Sequence, residues 1–551
     1  MSHLLNSRAS LVSDAIDGEL LAAGGRLARL DGYPDIRVVL RADWSRAQVA
    51  IVSGGGAGHE PAHMGFVGRG MLTAAVFGDV FASPSSEAVL AAILAVAGER
   101  GVLLIIKNYT GDRLNFGLAA ERARALGVMV ETVIVGDDVA LPDIAQPRGI
   151  AGTLFVHKIA GAAAEAGRDL DEVASAARAA AQGTRSMGMA TTTCTIPGRE
   201  AENRIPEGEA ELGLGIHGKP GAKRGPLGAA RDMVDLLLER LVPGGAEAIG
   251  PFALLVNNLG GLSPIELAVV TEAVLTSQLA SRIELVFGPA LLMTSLDMKG
   301  FSLSLLPLDP ERRAALLAPV DAKSWPAGAR LAPLSLVPLP AQLLTEPPPS
   351  ACTGASERSR SIVETTLASL IGIEDALNRL DSKVGDGDTG TTVARAAKAI
   401  GDHLDSVLRP DWGDTLLAMS RRTGQTMGGS SGVLVSIYLA ATGTALNEGL
   451  GWPAALRAGF DRVAFYGGAS EGDRTMLDAL APAIRALEQG GDLAAAAAAA
   501  AAGASRTAGI LTTRAGRSSY VNAADLQGVQ DPGAVAVATV LKSLVRTVGG
   551  A

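Results

Sequence analysis

The chain is short of cysteine, of basic excess and of long apolar runs, and each shortage removes a class of protein. Cys194 and Cys352 are the two cysteines in 551 residues, too few for a disulfide framework and without a zinc-site spacing. Lys plus Arg is 48 against 57 for Asp plus Glu, a formal net charge of −9. That balance argues against nucleic acid or an anionic membrane as the main partner. Hydrophobic residues make up 48% of the chain, yet no charge-free apolar run reaches the ~18 residues of a membrane span. The stretch from Met1 to Asn6 has no basic segment leading into an apolar one, so no signal peptide is expected and the expected location is the cytoplasm. What is plentiful is glycine, 67 residues, about 12% against roughly 7% on average. Glycine at that level suits tight turns and backbone loops wrapped around ligands. At about 150 residues per domain, the length corresponds to roughly three to four domains.

Two unlike halves follow one another. Up to about residue 330, the runs 48–53, 102–107, 128–135, 252–257 and 282–287 read as buried strands, alternating with helix-like stretches such as 86–96 and 171–182. The alternation predicts α/β layers. A polar, glycine-rich region over 183–225 is expected to split this half into two subdomains near 185–190. From Trp325 to Glu357 prolines accumulate, ending in Pro347-Pro348-Pro349, and the linker is placed at 331–357 as an extended, semi-rigid segment. Beyond it, 358–551 shows helical periodicity without a credible strand, over 362–380, 391–408, 432–446, 476–487 and 534–548. The alanine run 494–502 predicts a close-packed helix.

Five constellations carry chemistry. The first, Ser53-Gly54-Gly55-Gly56-Ala57-Gly58-His59-Glu60-Pro61-Ala62-His63, follows a strand. It fails both the dinucleotide and the Walker templates, and its two histidines point to chemistry. The second, Lys107 to Phe116, stands at the C-terminal end of a strand, the edge where open α/β sheets bind ligands. Asp112 is there a candidate general base and Lys107 an anchor for a polar oxygen. In the third, His217 sits among Gly213, Gly215, Gly218 and Gly221 with Lys219 close by, a setting for a nucleophile or base. The fourth gathers Asp381, Asp386 and Asp388, three carboxylates suited to a hard cation, above all Mg²⁺. With two Mg²⁺ ions the local charge is −3 + 4 = +1, an attractor for polyphosphate. Glycine/serine turns make the fifth: Met427 to Gly432 and Gly467 to Met476, each opening a helix and able to hold a phosphate, with Gly516-Arg517 and Asp531-Pro532-Gly533.

Taken together, these segments resemble one family. SGGGAGHEPAH, KNYTGDRLNFG and GIHGKPG are similar to the substrate subunit of dihydroxyacetone (glycerone) kinases. LDSKVGDGDTG, MGGSSG, GDRTMLDAL and DPGA are similar to their nucleotide subunit, in the order of the single-chain ATP-dependent enzymes. The resemblance implies an α/β substrate region followed by an all-α barrel of about eight helices. It implies that His217 adds to the ketone carbon as a covalent hemiaminal, with His59 and Asp112 as acid/base residues and Gly56 and Lys107 binding substrate. Asp381, Asp386 and Asp388 would hold two Mg²⁺ ions. Gly387, Thr389, Gly428, Gly429, Ser430, Ser431, Gly468, Arg474, Thr475, Met476, Arg517, Asp531, Pro532 and Gly533 would hold the nucleotide. It further implies a homodimer that phosphorylates dihydroxyacetone. A kinase for a related ketose such as erythrulose, and an ADP-bound phosphorelay relative, stand as alternatives.

Overall fold

The computed structural model describes residues 3–33, 35–141, 144–199, 204–216, 221–243, 250–340, 356–427, 429–514 and 521–548. His217, Lys219, Gly428 and Arg517 lie outside them, as does 341–355 of the expected linker, and the side chains of Gly429 and Ser430 are not described. The chain forms two compact units, Met1–Ser335 and Leu336–Ala551. No described helix is long and apolar enough to cross a membrane.

In the first unit, helix α1 (Leu11–Ala22) precedes a six-stranded sheet of order β1-β2-β4-β3-β5-β6. Its strands are β1 (Leu27–Arg29), β2 (Val38–Arg41), β3 (Ala50–Ala57), β4 (Ala74–Val80), β5 (Val102–Lys107) and β6 (Val130–Val135). The last four pair in parallel, and central β5 is the near-continuous apolar run expected of a strand covered on both faces. Helices α2 (Ser86–Val96) and α3 (Thr110–Ala125) cover one face, and α4 (Thr153–Glu165) and α5 (Leu170–Gly183) the other. A second, seven-stranded sheet runs β13-β11-β10-β12-β7-β8-β9. It is built from β7 (Arg185–Ala190), β8 (Glu209–Leu212), β9 (Lys223–Pro226), β10 (Phe252–Asn258), β11 (Ile283–Leu291), β12 (Gly300–Pro307) and β13 (Ala329–Arg330). Helices α6 (Ala230–Leu241) and α7 (Pro264–Leu275) close its outer face, and α8 (Pro310–Leu317) packs on α4.

A single core cluster contains Ile51 and Ile105 of the first sheet, Phe155 and Ala177 of α4 and α5, and Leu255 and Phe287 of the second. The central helix pair is therefore shared, giving helix, sheet, helix, sheet and helix layers with no seam between the sheets. The glycine-rich stretch 183–225 is not a separator: it supplies β7, β8 and β9, half-polar strands whose pattern is not that of a buried run. Trp325 is likewise core and not linker, packed against Phe287 with ring centroids 4.9 Å apart. From 331 to 340 there is neither helix nor strand, and Leu334, Leu336 and Val337 are exposed.

Among the described residues the second unit is helical throughout. Eight of its helices have twelve residues or more: α9 (Glu357–Ile371), α11 (Thr389–Gly401), α13 (Trp412–Thr426), α14 (Gly429–Asn447), α15 (Trp452–Gly467), α16 (Leu477–Glu488), α17 (Leu493–Arg506) and α19 (Pro532–Val548). Each packs on the next in that order, and α19 packs back on α9. Short helices α10 (Glu374–Asp381), α12 (Leu404–Val407) and α18 (Ala523–Leu526) fill the corners. Two expected helices are each broken. Residues 362–380 divide at Gly372, whose N–H caps α9, and 391–408 divides after Gly401 at Asp402–His403. The alanine run is the close-packed helix α17. Its Ala496, Ala500 and Ala504 are buried with Ala479 and Ala483 of α16, and a Cβ on Gly503 would fall 2.1 Å from the Asp478 carbonyl.

Candidate functional site

The Ser-Gly-Gly-Gly end of β3 lies wholly buried between β4 and β5. A Cβ at Gly56 would stand 2.7 Å from the backbone N of Ala82, and one at Gly55 would stand 2.7 Å from Lys107 Nζ and 3.6 Å from Asp112 Oδ2. Gly55 is thus the floor on which a cation and a carboxylate converge. Lys107 is the last residue of β5, and Asp112 lies in the first turn of α3, so the ends of two parallel strands and one helix N-terminus meet here. Lys107 Nζ donates to the Gly54 carbonyl at 2.9 Å and lies 2.5 Å from His63 Nε2. Burial lowers the Lys107 ammonium to about 8, with Asp112 partly opposing. Burial also raises the Asp112 carboxyl above its ordinary value, against the pull of Lys107 and of the Ser83 hydroxyl.

His59 is buried, stacked on Phe81 with ring centroids 5.1 Å apart. Its Nδ1 lies 2.8 Å from the Thr294 carbonyl. A carbonyl only accepts, so Nδ1 carries a proton, and in the neutral tautomer Nε2 is the basic atom. The loop after β11 reaches across to this turn three times more: Thr294 N donates to the His59 carbonyl at 3.2 Å, the Thr294 hydroxyl to the Glu60 carbonyl at 2.9 Å, and Leu296 N to the Gly58 carbonyl at 2.9 Å. Thr294 is 235 residues from His59, and no local sequence signal marks it. His63 and His157 are two further buried histidines beside Lys107, with ring centroids 5.2 Å apart. The structure thus brings Lys107 and Asp112 together over Gly55, with Gly56 next in the strand and His59 close to His63; His217 lies outside the described residues. Of its expected surroundings, Glu211 is described: it pairs with Arg204 and accepts from Gly221 N.

Gly55→Ala is expected to lower the melting temperature, because φ +154° is a conformation that L residues rarely adopt, and also to displace the Lys107 ammonium that its Cβ would meet. If Lys107 binds the ketone that the resemblance implies, loss of one charge-assisted hydrogen bond of about 1.5–3 kcal/mol corresponds to a rise in its KM of about ten- to a hundredfold. Steady-state kinetics with the ketone varied checks this.

In the second unit, Asp381, Asp386 and Asp388 each offer an oxygen within 4.8 Å of the others. Asp381 ends α10, and its Oδ2 accepts from the N–H groups of Asp388 at 3.0 Å and Thr389 at 3.2 Å, folding the loop back on itself. Gly387 has φ +76°, a left-handed conformation that glycine permits between the two outer carboxylates. Asn378 and Glu374, which the sequence did not single out, brace the loop through Thr391: Thr391 N donates to Asn378 Oδ1 at 3.1 Å and its hydroxyl to Glu374 Oε1 at 2.9 Å. An oxygen-only donor set of one buried and two exposed carboxylates fits Mg²⁺.

Three other segments converge on this loop. Val384 packs with Leu526 and Val529; the Val529 carbonyl accepts from buried Arg474 at 2.8 Å; and a Cβ on Gly533 would lie 3.4 Å from Met476 Cβ. Asp478, another residue missed in the sequence, ties the Gly468–Met476 turn by accepting from Gly472 N at 2.7 Å and Thr475 N at 2.9 Å. Arg474 and Asp531 have protein partners. Asp531 accepts from Ala534 N at 2.7 Å at the head of α19, and burial pushes its carboxyl up to about 7. The turn at Ser431 opens α14, which packs on α11.

Buried titratable groups at the strand ends of one unit, and a carboxylate trio among helix-opening turns in the other, are the marks of a phosphotransferase without a P-loop. A family model described as the Dak1 domain matches residues 22–324, and one described as the DAK2 domain matches 383–546. The chain belongs to the single-chain dihydroxyacetone (glycerone) kinase family, phosphotransferases with an alcohol acceptor. It is 48% identical to the dihydroxyacetone kinase of Citrobacter freundii over 98% of both chains. It is 36% identical to the L-erythrulose 1-kinase of Mycolicibacterium smegmatis over 99% of both. The crystal structure of the C. freundii enzyme in complex with AMP-PNP and Mg²⁺ superposes with a TM-score of 0.82, at 46% identity over 99% of both chains.

Proposed function

We propose that the chain transfers the γ-phosphoryl group of ATP to a terminal hydroxyl of dihydroxyacetone, acting as a homodimer and without a partner protein. The observation that carries this reading is the convergence of Lys107 and Asp112 over Gly55, with His59 buried on the turn that follows β3, in a chain that matches a dihydroxyacetone kinase over 98% of its length. His217 adds through a ring nitrogen to the ketone carbon while the carbonyl oxygen takes a proton, giving a hemiaminal that fixes a small substrate with few other handles. Lys107 and the backbone at Gly56 hold its oxygens. Asp112, made more basic by burial, or the Nε2 of His59 removes the proton of the terminal hydroxyl. That oxygen bonds to the γ-phosphorus as the bond to the β–γ bridging oxygen breaks.

Asp381, Asp386 and Asp388 would hold two Mg²⁺ ions, which when bound neutralise phosphate charge. The turns at Gly428–Ser431 and Gly468–Met476, with Arg517 and Asp531–Gly533, hold the nucleotide around them. The closed ring of eight helices supports reading this unit as a barrel. The erythrulose kinase among its relatives supports a second acceptor, the four-carbon ketose, at the same site.

The test is ADP release by the purified chain with dihydroxyacetone, ATP and Mg²⁺ and no other protein. Ketone-dependent ADP is expected, with glycerol giving far less because it has no carbonyl to capture. No ketone-dependent ADP would refute the reading. His217→Ala is expected to raise ketone KM and cut turnover, and full activity in that variant would remove the covalent step.

A further inference from the structure

His63 and His157 are fully buried polar residues that the proposed chemistry does not use. Apolar side chains would fill the same space without desolvating a ring nitrogen, so a buried histidine here calls for a reason. The Ser53 hydroxyl donates to the Ile105 carbonyl at 2.7 Å, so His157 Nε2 is the donor in its 3.1 Å contact with Ser53 Oγ. That bond fixes the ring of His157, which stands edge-on to His63. His63 Nε2 lies 2.5 Å from Lys107 Nζ, and its Nδ1 has no hydrogen-bond partner among the described residues. A protonated Lys107 donates to Nε2, so the proton of His63 sits on Nδ1 at a cost in burial.

An ammonium has three N–H bonds. One goes to the Gly54 carbonyl and one to His63 Nε2. With two directions fixed, rotation stops and the third N–H keeps one direction. We propose that His63 is a positioning residue: it accepts from Lys107, holds the ammonium charged in its buried pocket, and leaves a single N–H for an oxygen of the bound ketose. The inference rests on the proposed ketone phosphorylation and on Lys107 as a substrate-binding group.

The groups around the Lys107–His63 pair are Asp112 from α3 and His157 from α4, with His59 from the turn after β3 facing His63. His63 and His157 are both held neutral, chiefly by burial and then by the Lys107 charge, His157 at about 3. Asp112 stabilises the ammonium. With Lys107 at about 8, kcat/KM for the ketone falls as pH rises through that value, where the donor is lost.

The test compares His63→Phe, which keeps a ring but no acceptor, with His63→Gln, which keeps an acceptor, against the wild-type full chain. His63→Phe is expected to raise ketone KM about tenfold and to move the alkaline limb down by about one pH unit, with ATP KM unchanged. His63→Gln is expected to restore both to within about threefold. If His63→Phe does not fold, His63→Met takes its place. A folded acceptor-less variant with a wild-type alkaline limb overturns the proposal. So does equal impairment of both variants with the limb unmoved, the mark of a packing role. Wild-type chain that turns over no ketone sinks the functional reading itself and this inference with it.

Discussion

Asp112→Asn is expected to lower kcat for ketone phosphorylation by about 10²- to 10⁴-fold, the usual contribution of a positioned general base. The substitution keeps the shape of the side chain in the first turn of α3 and removes its basicity. It has a second, separable consequence. Asp112 is the charge that opposes the burial of Lys107, so its loss lowers the Lys107 pKa and brings the alkaline fall in ketone kcat/KM to lower pH. ATP KM should stay close to the wild-type value, because every nucleotide and metal candidate belongs to the other unit. A variant with near-normal kcat would pass the base role to His59, whose Nδ1 is held by the Thr294 carbonyl.

Asp386→Asn and Asp388→Asn should each cut activity by about 10²- to 10³-fold, corresponding to several kcal/mol of lost charge stabilisation. Excess Mg²⁺ should recover part of it, and chelation should silence the wild type. These two carboxylates are exposed, so the fold should survive their loss. Asp381 differs: it is buried and holds the N–H groups of Asp388 and Thr389. Asp381→Ala should therefore also lower the melting temperature, by an amount set by two orphaned donors at about 1–3 kcal/mol each. Thermal melts beside Mg²⁺-dependent kinetics separate the two contributions. If Asp386→Asn and Asp388→Asn both retain wild-type Mg²⁺ dependence, the trio is a solvated turn and not a metal site.

The parts of the fold legible in the sequence are those whose local pattern matches one burial environment. Val102–Lys107 is an unbroken apolar run covered on both faces, and Ser86–Val96 is a capped helix whose boundaries its periodicity marks. Gly300–Leu306 is just as buried, but glycine and serine interrupt its run, and the buried Ala74–Phe77 leads into glycine and an exposed aspartate. The helix Trp412–Thr426 stayed hidden because it buries Gly413, Thr415, Ser420 and Thr423 in place of large apolar residues. Its Ser420 donates to the Ser436 carbonyl of the neighbouring helix, a contact without sequence periodicity.

The candidate site divides in the same way. Asp381, Asp386 and Asp388 lie within eight residues, so their meeting is a local event that spacing foretells. Lys107 and Asp112 were legible because a strand end and a helix start adjoin in sequence. Thr294 and His157 enter only when distant elements pack, and Asp478 reads as an ordinary helix residue until the turn before it closes on its carboxylate.

The most direct measurement is a crystal structure of the chain soaked with dihydroxyacetone, a non-hydrolysable ATP analogue and Mg²⁺. The account predicts continuous density between the imidazole of His217 and the central carbon of the triose, with metal on Asp381, Asp386 and Asp388 and the nucleotide in the helical unit. An unmodified ring at His217, or nucleotide bound in the α/β unit, would contradict it.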